Sequence, residues 1–167
     1  LLDVSISVRN SSCEDALNIV RSMGYIENIN VYEAKHDAID LDFSNINIGN
    51  VLISNAGNDC VDMSYGNYNI EQLDLSSCRD KAVSVGEKSN FSGKTVEIKN
   101  SLIGIAIKDS STSTINTLII ENATLCAAAY RKKQEFYGAY LRINNFLCNK
   151  NEIYYQNGST IEIINEL

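Results

Sequence analysis

Positive charge is scarce in this sequence: 14 Lys and Arg stand against 21 Asp and Glu, for a formal net charge of −7. A chain this acidic has no general electrostatic attraction for nucleic acid or for an anionic membrane face, so neither is expected as a partner. No apolar run approaches the length of a membrane span, so membrane insertion is not expected either. Proline and tryptophan are absent. Asn, Ser and Ile are plentiful instead, the composition of many short strands separated by polar turns. The five cysteines (Cys13, Cys60, Cys78, Cys126 and Cys148) form no C-x-x-C pair, which argues against a zinc site. Their odd number argues against a complete disulfide framework. Free thiols throughout are the expectation, with Cys148 moved into a turn by extra residues after Ile143. Ser-His-Asp and Cys-His hydrolase motifs are missing. Gly86-Glu87-Lys88-Ser89 lacks the preceding glycine and following helix of a phosphate-binding loop.

What is present is a repeat. Glu14-Asp15-Ala16-Leu17-Asn18-Ile19, His36-Asp37-Ala38-Ile39-Asp40-Leu41 and Asn58-Asp59-Cys60-Val61-Asp62-Met63 follow one another at the same 22-residue step. The step continues to Lys81-Ala82-Val83-Ser84-Val85, Gly104-Ile105-Ala106-Ile107 and Cys126-Ala127-Ala128-Ala129. Two apolar columns result, Leu17/Ile39/Val61/Val83/Ile105/Ala127 and Ile19/Leu41/Met63/Val85/Ile107/Ala129. Their alternation with the residues between is the period of a strand with one face in and one face out.

A second strand recurs as an apolar-x-apolar pair, from Ile6/Val8 and Ile29/Val31 through Leu118/Ile120 to Leu141/Ile143 and Ile161/Ile163. Ile26, Ile48, Ile70 and Ile115 mark a shorter third strand. Asn10, Asn55, Asn100, Asn122 and Asn145, with Glu33 and Ser77, form a corner column, where Asn tolerates a left-handed backbone and stacked amides can bond along a ladder. Asn-Gly hairpin signals are nearly absent, Asn157-Gly158 coming only at the end, which favours stacked parallel strands over a sandwich, and the leucine-rich-repeat consensus is missing. The expected fold is all-β: a right-handed parallel β-helix, a single-chain solenoid of about seven coils of about 22 residues. Residues 1–167 read as one domain. The chain opens Leu1-Leu2-Asp3-Val4-Ser5-Ile6 in strand pattern, with neither an initiator Met nor a signal-peptide pattern, so a fragment of a larger protein is expected. Flanking domains or homo-oligomer formation should cap the solenoid ends.

The strings His36-Asp37-Ala38-Ile39-Asp40-Leu41-Asp42-Phe43, Asp80 to Ser89 and Gly104 to Ser111 resemble bacterial right-handed β-helix repeat proteins, the pectate-lyase-like solenoids. That resemblance implies a fold shared with pectate lyases, polysaccharide hydrolases, uronate epimerases and phage tailspikes, and a bacterial surface, secreted or phage-type protein that binds or processes polysaccharide. It also implies an extracytoplasmic or cell-surface location. The alternative is a non-catalytic structural spacer or adhesin segment, since one scaffold hosts several chemistries and inert members.

The candidate chemistry lies on the outer positions of the first strand. One column reads Asn18, Asp40, Asp62, Ser84, Ala106, Ala128, and the next Val20, Asp42, Ser64, Gly86, Lys108, Tyr130. Asp40 and Asp62 should sit on adjacent coils, about 5 Å apart. Two carboxylates that close cannot both ionise freely, and such pairs serve glycoside hydrolysis. His36, the single histidine, enters this strand beside Asp37 and is a candidate proton-transfer group, or else a turn residue bonded to Asp37. The catalytic candidates are therefore Asp40, Asp62 and His36. Ligand-binding candidates are Asp37, Asp42, Asp59, Lys108, Tyr130, Arg131 and Lys132, where cations would hold acidic groups and a ring would stack on a sugar. His36 and Lys108 are three coils apart, about 15 Å, which counts against one uronate site. No cofactor is expected; Asp37, Asp40, Asp59 and Asp62 could offer oxygens to calcium, or the acids could form a solvated ladder. A column of small residues, Ala16/Ala38/Cys60/Ala82/Gly104/Cys126, reads as an open track for a bound chain.

Overall fold

A computed structural model describes residues 4–149 and 152–167 of the chain; Leu1, Leu2 and Asp3 of the opening strand pattern lie outside them. Strands follow from side-chain alternation: in β4 (Asp37–Asp42) and β6 (Val61–Ser64), Ile39, Leu41, Val61 and Met63 are fully buried, while Asp40, Asp42, Asp62 and Ser64 are only partly so. β2 (Asp15–Val20) pairs β4, β4 pairs β6, and β6 pairs β7 (Asn67–Gly86), every pair parallel. The ladder continues through β8 (Asn90–Lys108) and β9 (Thr112–Tyr130) to β11 (Ile153–Tyr155). The rest of each coil forms a second run: β1 (Ser5–Ser11), β3 (Met23–Ala34), β5 (Asn45–Ala56), β7, β8, β9, β10 (Tyr140–Cys148) and β12 (Thr160–Glu166). The result is an all-β parallel solenoid of about seven turns at about 22 residues per turn.

Registers reproduce the two apolar columns: Leu17 pairs Ile39, Ile39 pairs Val61, Val61 pairs Val83 and Val83 pairs Ile105. Ile39, Val61, Val83 and Ile105 are all fully buried, each worth about 1.5–3 kcal/mol relative to exposure. The corner column is equally regular. Asn10, Glu33, Asn55, Ser77, Asn100 and Asn122 all have φ between 55° and 64°, the left-handed region that Asn adopts most readily after Gly. Their side chains bond along the rod, Asn55 Nδ2 donating to Glu33 Oε1 (2.9 Å) and Asn122 Nδ2 to Asn100 Oδ1 (2.7 Å).

Three sequence expectations are corrected. First, Leu141 and Ile143 pair with Ser113 and Ile115, in the third-strand column, and the second strand of that coil is carried by Phe146 and Cys148, opposite Leu118 and Ile120. Asn145 accordingly pairs with Thr117 and leaves the corner column. The cause is the extra chain between Tyr130 and Tyr140, which delays re-entry into the coil. Second, the thiols are not all free: Cys60 is bonded to Cys78 and Cys126 to Cys148, leaving Cys13 free and exposed. Both bridges cross the interior of a corner, with Cα separations of 5.5 and 6.4 Å, distances a disulfide spans. Cys148 stands at the end of β10 opposite Ile120, not in a turn. Third, the small residues form no outer track. Ala38, Cys60, Ala82 and Cys126 are fully buried in the core. The chain bends there so that two successive residues face inward, and only small side chains fit; a Cβ on Gly104 would lie 2.5 Å from the Cys126 carbonyl oxygen and 2.5 Å from Ile120 Cδ1.

Candidate functional site

The outer face of the first-strand sheet brings the acids together. Asp40 and Asp62 are register partners on adjacent coils, with Asp42 two residues along from Asp40 on the same face. Burial pushes the Asp40 carboxyl up to about 7, reinforced by Asp42, Asp62, Asp15 and Asp37. Asn18 Nδ2 reaches Asp40 Oδ2 at 3.4 Å, and Asp15 Oδ2 at 3.0 Å. Asp42 and Asp37 are also raised, in both cases mainly by burial. Asp62 Oδ1 accepts from the Met63 N–H at 3.1 Å.

Lys108 belongs to this group, although its Cα is two coils above Asp62, about 10 Å away. Its side chain runs down over Gly86, where a Cβ would lie 3.3 Å from Lys108 Cε, and ends with Nζ 3.9 Å from Asp62 Oδ1. Lys108 is only 6% exposed, and burial pulls its ammonium below the ordinary lysine range, with Asp62 opposing that shift. Ser84, the register partner of Asp62 on the next coil, is fully buried with a hydroxyl that has no hydrogen-bond partner. Asp59 is otherwise engaged: it is buried, holds Lys81 Nζ at 3.1 Å and accepts the Lys81 N–H at 2.9 Å. Asp37 Oδ1 accepts from Asn58 Nδ2 (2.7 Å) and the Asp59 N–H (2.8 Å), which leaves His36 exposed and not bonded to it. His36 lines a hollow of about 390 Å³ with Ser12, Glu14, Asp37 and Asn58, at the far end of β4 from Asp42.

One edge of the acid face is aromatic, and sequence reasoning missed it. Phe43 and Tyr65 follow Asp42 and Ser64, and their rings stack with centroids 4.7 Å apart. Both have left-handed backbones (φ 50° and 51°) and exposed rings. A bulky residue is costly there. The available signal was the 22-residue spacing of two aromatic residues just past the outer column. Residues 131–139 fold back as a strap along the same edge. Lys132 and Lys133 donate backbone N–H groups to Asp109 Oδ1 (2.6 and 2.8 Å), and Lys133 Nζ contacts Glu87. Phe136 is buried 6.3 Å from the Tyr65 ring, with Lys88 Nζ 5.9 Å from its own centroid. Arg131 and Lys132 point into solvent beyond this edge, and Tyr130 sits half-buried near Tyr154, ring centroids 6.5 Å apart.

Other faces carry grooves of different character. One of about 530 Å³ is flanked by the bonded ladder Asn45–Asn67–Asn90–Thr112 and holds no carboxylate or cation. Among the described residues no group of three or more His, Cys, Asp or Glu side chains is arranged to hold a metal ion. No family model, no curated protein and no solved structure matches this chain.

Proposed function

We propose that the protein binds a polysaccharide chain across the first-strand face, with Asp40 as general acid and Asp62 as nucleophile. The observation that carries this reading is the exposed Phe43–Tyr65 stack lying directly alongside Asp40, Asp42 and Asp62. Sugar rings present an apolar C–H face and hydroxyl edges, so a ligand of that chemistry needs flat aromatic surface beside acceptor oxygens. A carboxyl that keeps its proton near neutral pH is a suitable general acid, and an adjacent-coil partner about 5 Å away is at the spacing of retaining glycoside hydrolysis. Lys108 supplies a cation at the upper end of the face, and Asp59 supports the coil below through Lys81. His36 stands apart at the entry of the strand and is assigned no step. Two disulfides favour an oxidising compartment, which supports placement outside the cytoplasm.

The test is a polysaccharide-binding and degradation screen of the wild-type protein, repeated with Asp62→Asn and with Phe43→Ala/Tyr65→Ala. The reading expects Asp62→Asn to abolish turnover with binding nearly intact, and the double aromatic variant to bind about tenfold more weakly, a loss of ~1.4 kcal/mol. Binding and turnover indifferent to all three changes would instead favour a structural spacer.

A further inference from the structure

We propose that Lys108 is a positioning residue: reaching through the notch at Gly86, it holds Asp62 as the anion of the carboxylate pair and leaves the proton on Asp40. This rests on the acid–nucleophile reading for its meaning in catalysis, but the proton's location does not depend on any glycan.

The geometry is asymmetric. Asp40 is surrounded by acids, namely Asp15 from β2, Asp37 and Asp42 from its own strand, and Asp62 from β6. Asp62 faces Asp40 as well, but it alone of the pair has an ammonium within ion-pair distance. An opposite charge that close favours the ionised carboxylate, whereas the Asp40 anion is disfavoured first by burial and then by the like charges around it, with only the amide of Asn18 in reach. Lys108 itself faces Asp62 and Asp59 as attractive partners, and Lys81 and Lys132 as repulsive ones. Glu87 is held by Lys133 and also lies within the field of the Lys108 ammonium.

Gly86 leaves the lysine room to lie close over the strand. Ser64, the residue one coil below in its column, carries a side chain; a Cβ at 86 would lie 3.3 Å from Lys108 Cε and 3.8 Å from Nζ, so the ammonium would have to shift slightly. The buried hydroxyl of Ser84 makes no hydrogen bond, so it does not hold the ammonium. Asp62 is the carboxylate the lysine can reach.

The experiment is a carboxyl-carbon NMR titration of the wild-type protein, Lys108→Met and Gly86→Ala, with circular dichroism confirming the fold of each. The wild type should show Asp40 holding the proton of the pair and Asp62 ionised. In Lys108→Met the upper titration of the pair should rise by roughly one to three pH units, with part of the proton moving onto Asp62. Gly86→Ala should move it in the same direction by less, because it shifts the ammonium without removing it. A pair whose titration is the same in Lys108→Met as in the wild type overturns the proposal, as does a wild-type protein in which Asp62 carries the proton. Neither result bears on glycan binding, and a glycan screen without hits would leave the titration result intact.

Discussion

The ring of Phe43 lies flat on that of Tyr65, centroids 4.7 Å apart and planes within 3°, and Arg21 caps the stack from the coil below with its guanidinium carbon 5.4 Å from the Phe43 centroid. All three residues occupy the same turn of successive coils and share a left-handed backbone. A rod repeats its turns at the strand spacing, about 4.8 Å, which is close to the separation at which aromatic rings stack. The repeat therefore makes the stack by register alone.

That stack should be measurable as coupling. In urea unfolding, the Phe43→Ala/Tyr65→Ala double-mutant cycle should give an interaction energy of about 0.5–1.5 kcal/mol. Strictly additive single-mutant effects would mean that the rings do not stack in solution.

The disulfides close loops of 18 and 22 residues by sequence separation. Loop-closure entropy gives each about 3 kcal/mol of stabilisation. Thiol titration of the denatured, unreduced protein should find one reactive thiol, Cys13. Five would contradict both bridges. Cys60→Ala/Cys78→Ala should lower the melting temperature more than any single surface substitution.

Stability should fall as pH rises toward neutrality. The folded-state pKa of Asp40 is about 7 against 3.8 for the free side chain, so between those values the native state holds a proton that the unfolded chain has lost, and stability decreases with increasing pH. Asp37, Asp42 and Asp59 are shifted the same way, while Glu87 is shifted oppositely by its contact with Lys133. The melting temperature at pH 5 should exceed that at pH 8 by a few degrees, and Asp40→Asn should flatten the difference. A melting temperature that climbs from pH 5 to pH 8 would contradict these shifts.

The core admits no charge. Ile105→Asp places a carboxylate among fully buried residues with no partner, at a cost of several kcal/mol, and should abolish cooperative unfolding by circular dichroism. Leu102→Asp, at an exposed position, should melt within a few degrees of the wild type. Equal melting of the two variants would place Ile105 outside the core.

The sequence made the coils legible because stacking turns a 22-residue spacing directly into neighbours: Ile39 over Leu17 and Asp62 over Asp40 needed no knowledge of the third dimension. It failed where the period breaks. The extra residues after Tyr130 slide Leu141 into another column, which no count from the N-terminus reveals. It failed also at corners, where both Ala38 and Ile39 turn inward and simple alternation assigns one of them outward. The disulfides depend on the same corners, since Cys60 and Cys78 meet only across the interior. Within the site, the carboxylate ladder could be read from spacing, but the reach of Lys108 could not: a long side chain crosses two coils, passing close over Gly86.

The most direct test of the binding face is amide chemical-shift mapping of the protein with a soluble oligosaccharide prepared from whichever polysaccharide the screen retains. Perturbations should cluster on Asp40, Asp42, Phe43, Asp62 and Tyr65 and need about tenfold more oligosaccharide to appear in Phe43→Ala/Tyr65→Ala. Perturbations confined to the Asn45–Asn67–Asn90–Thr112 groove, with the first-strand face silent, would contradict the account.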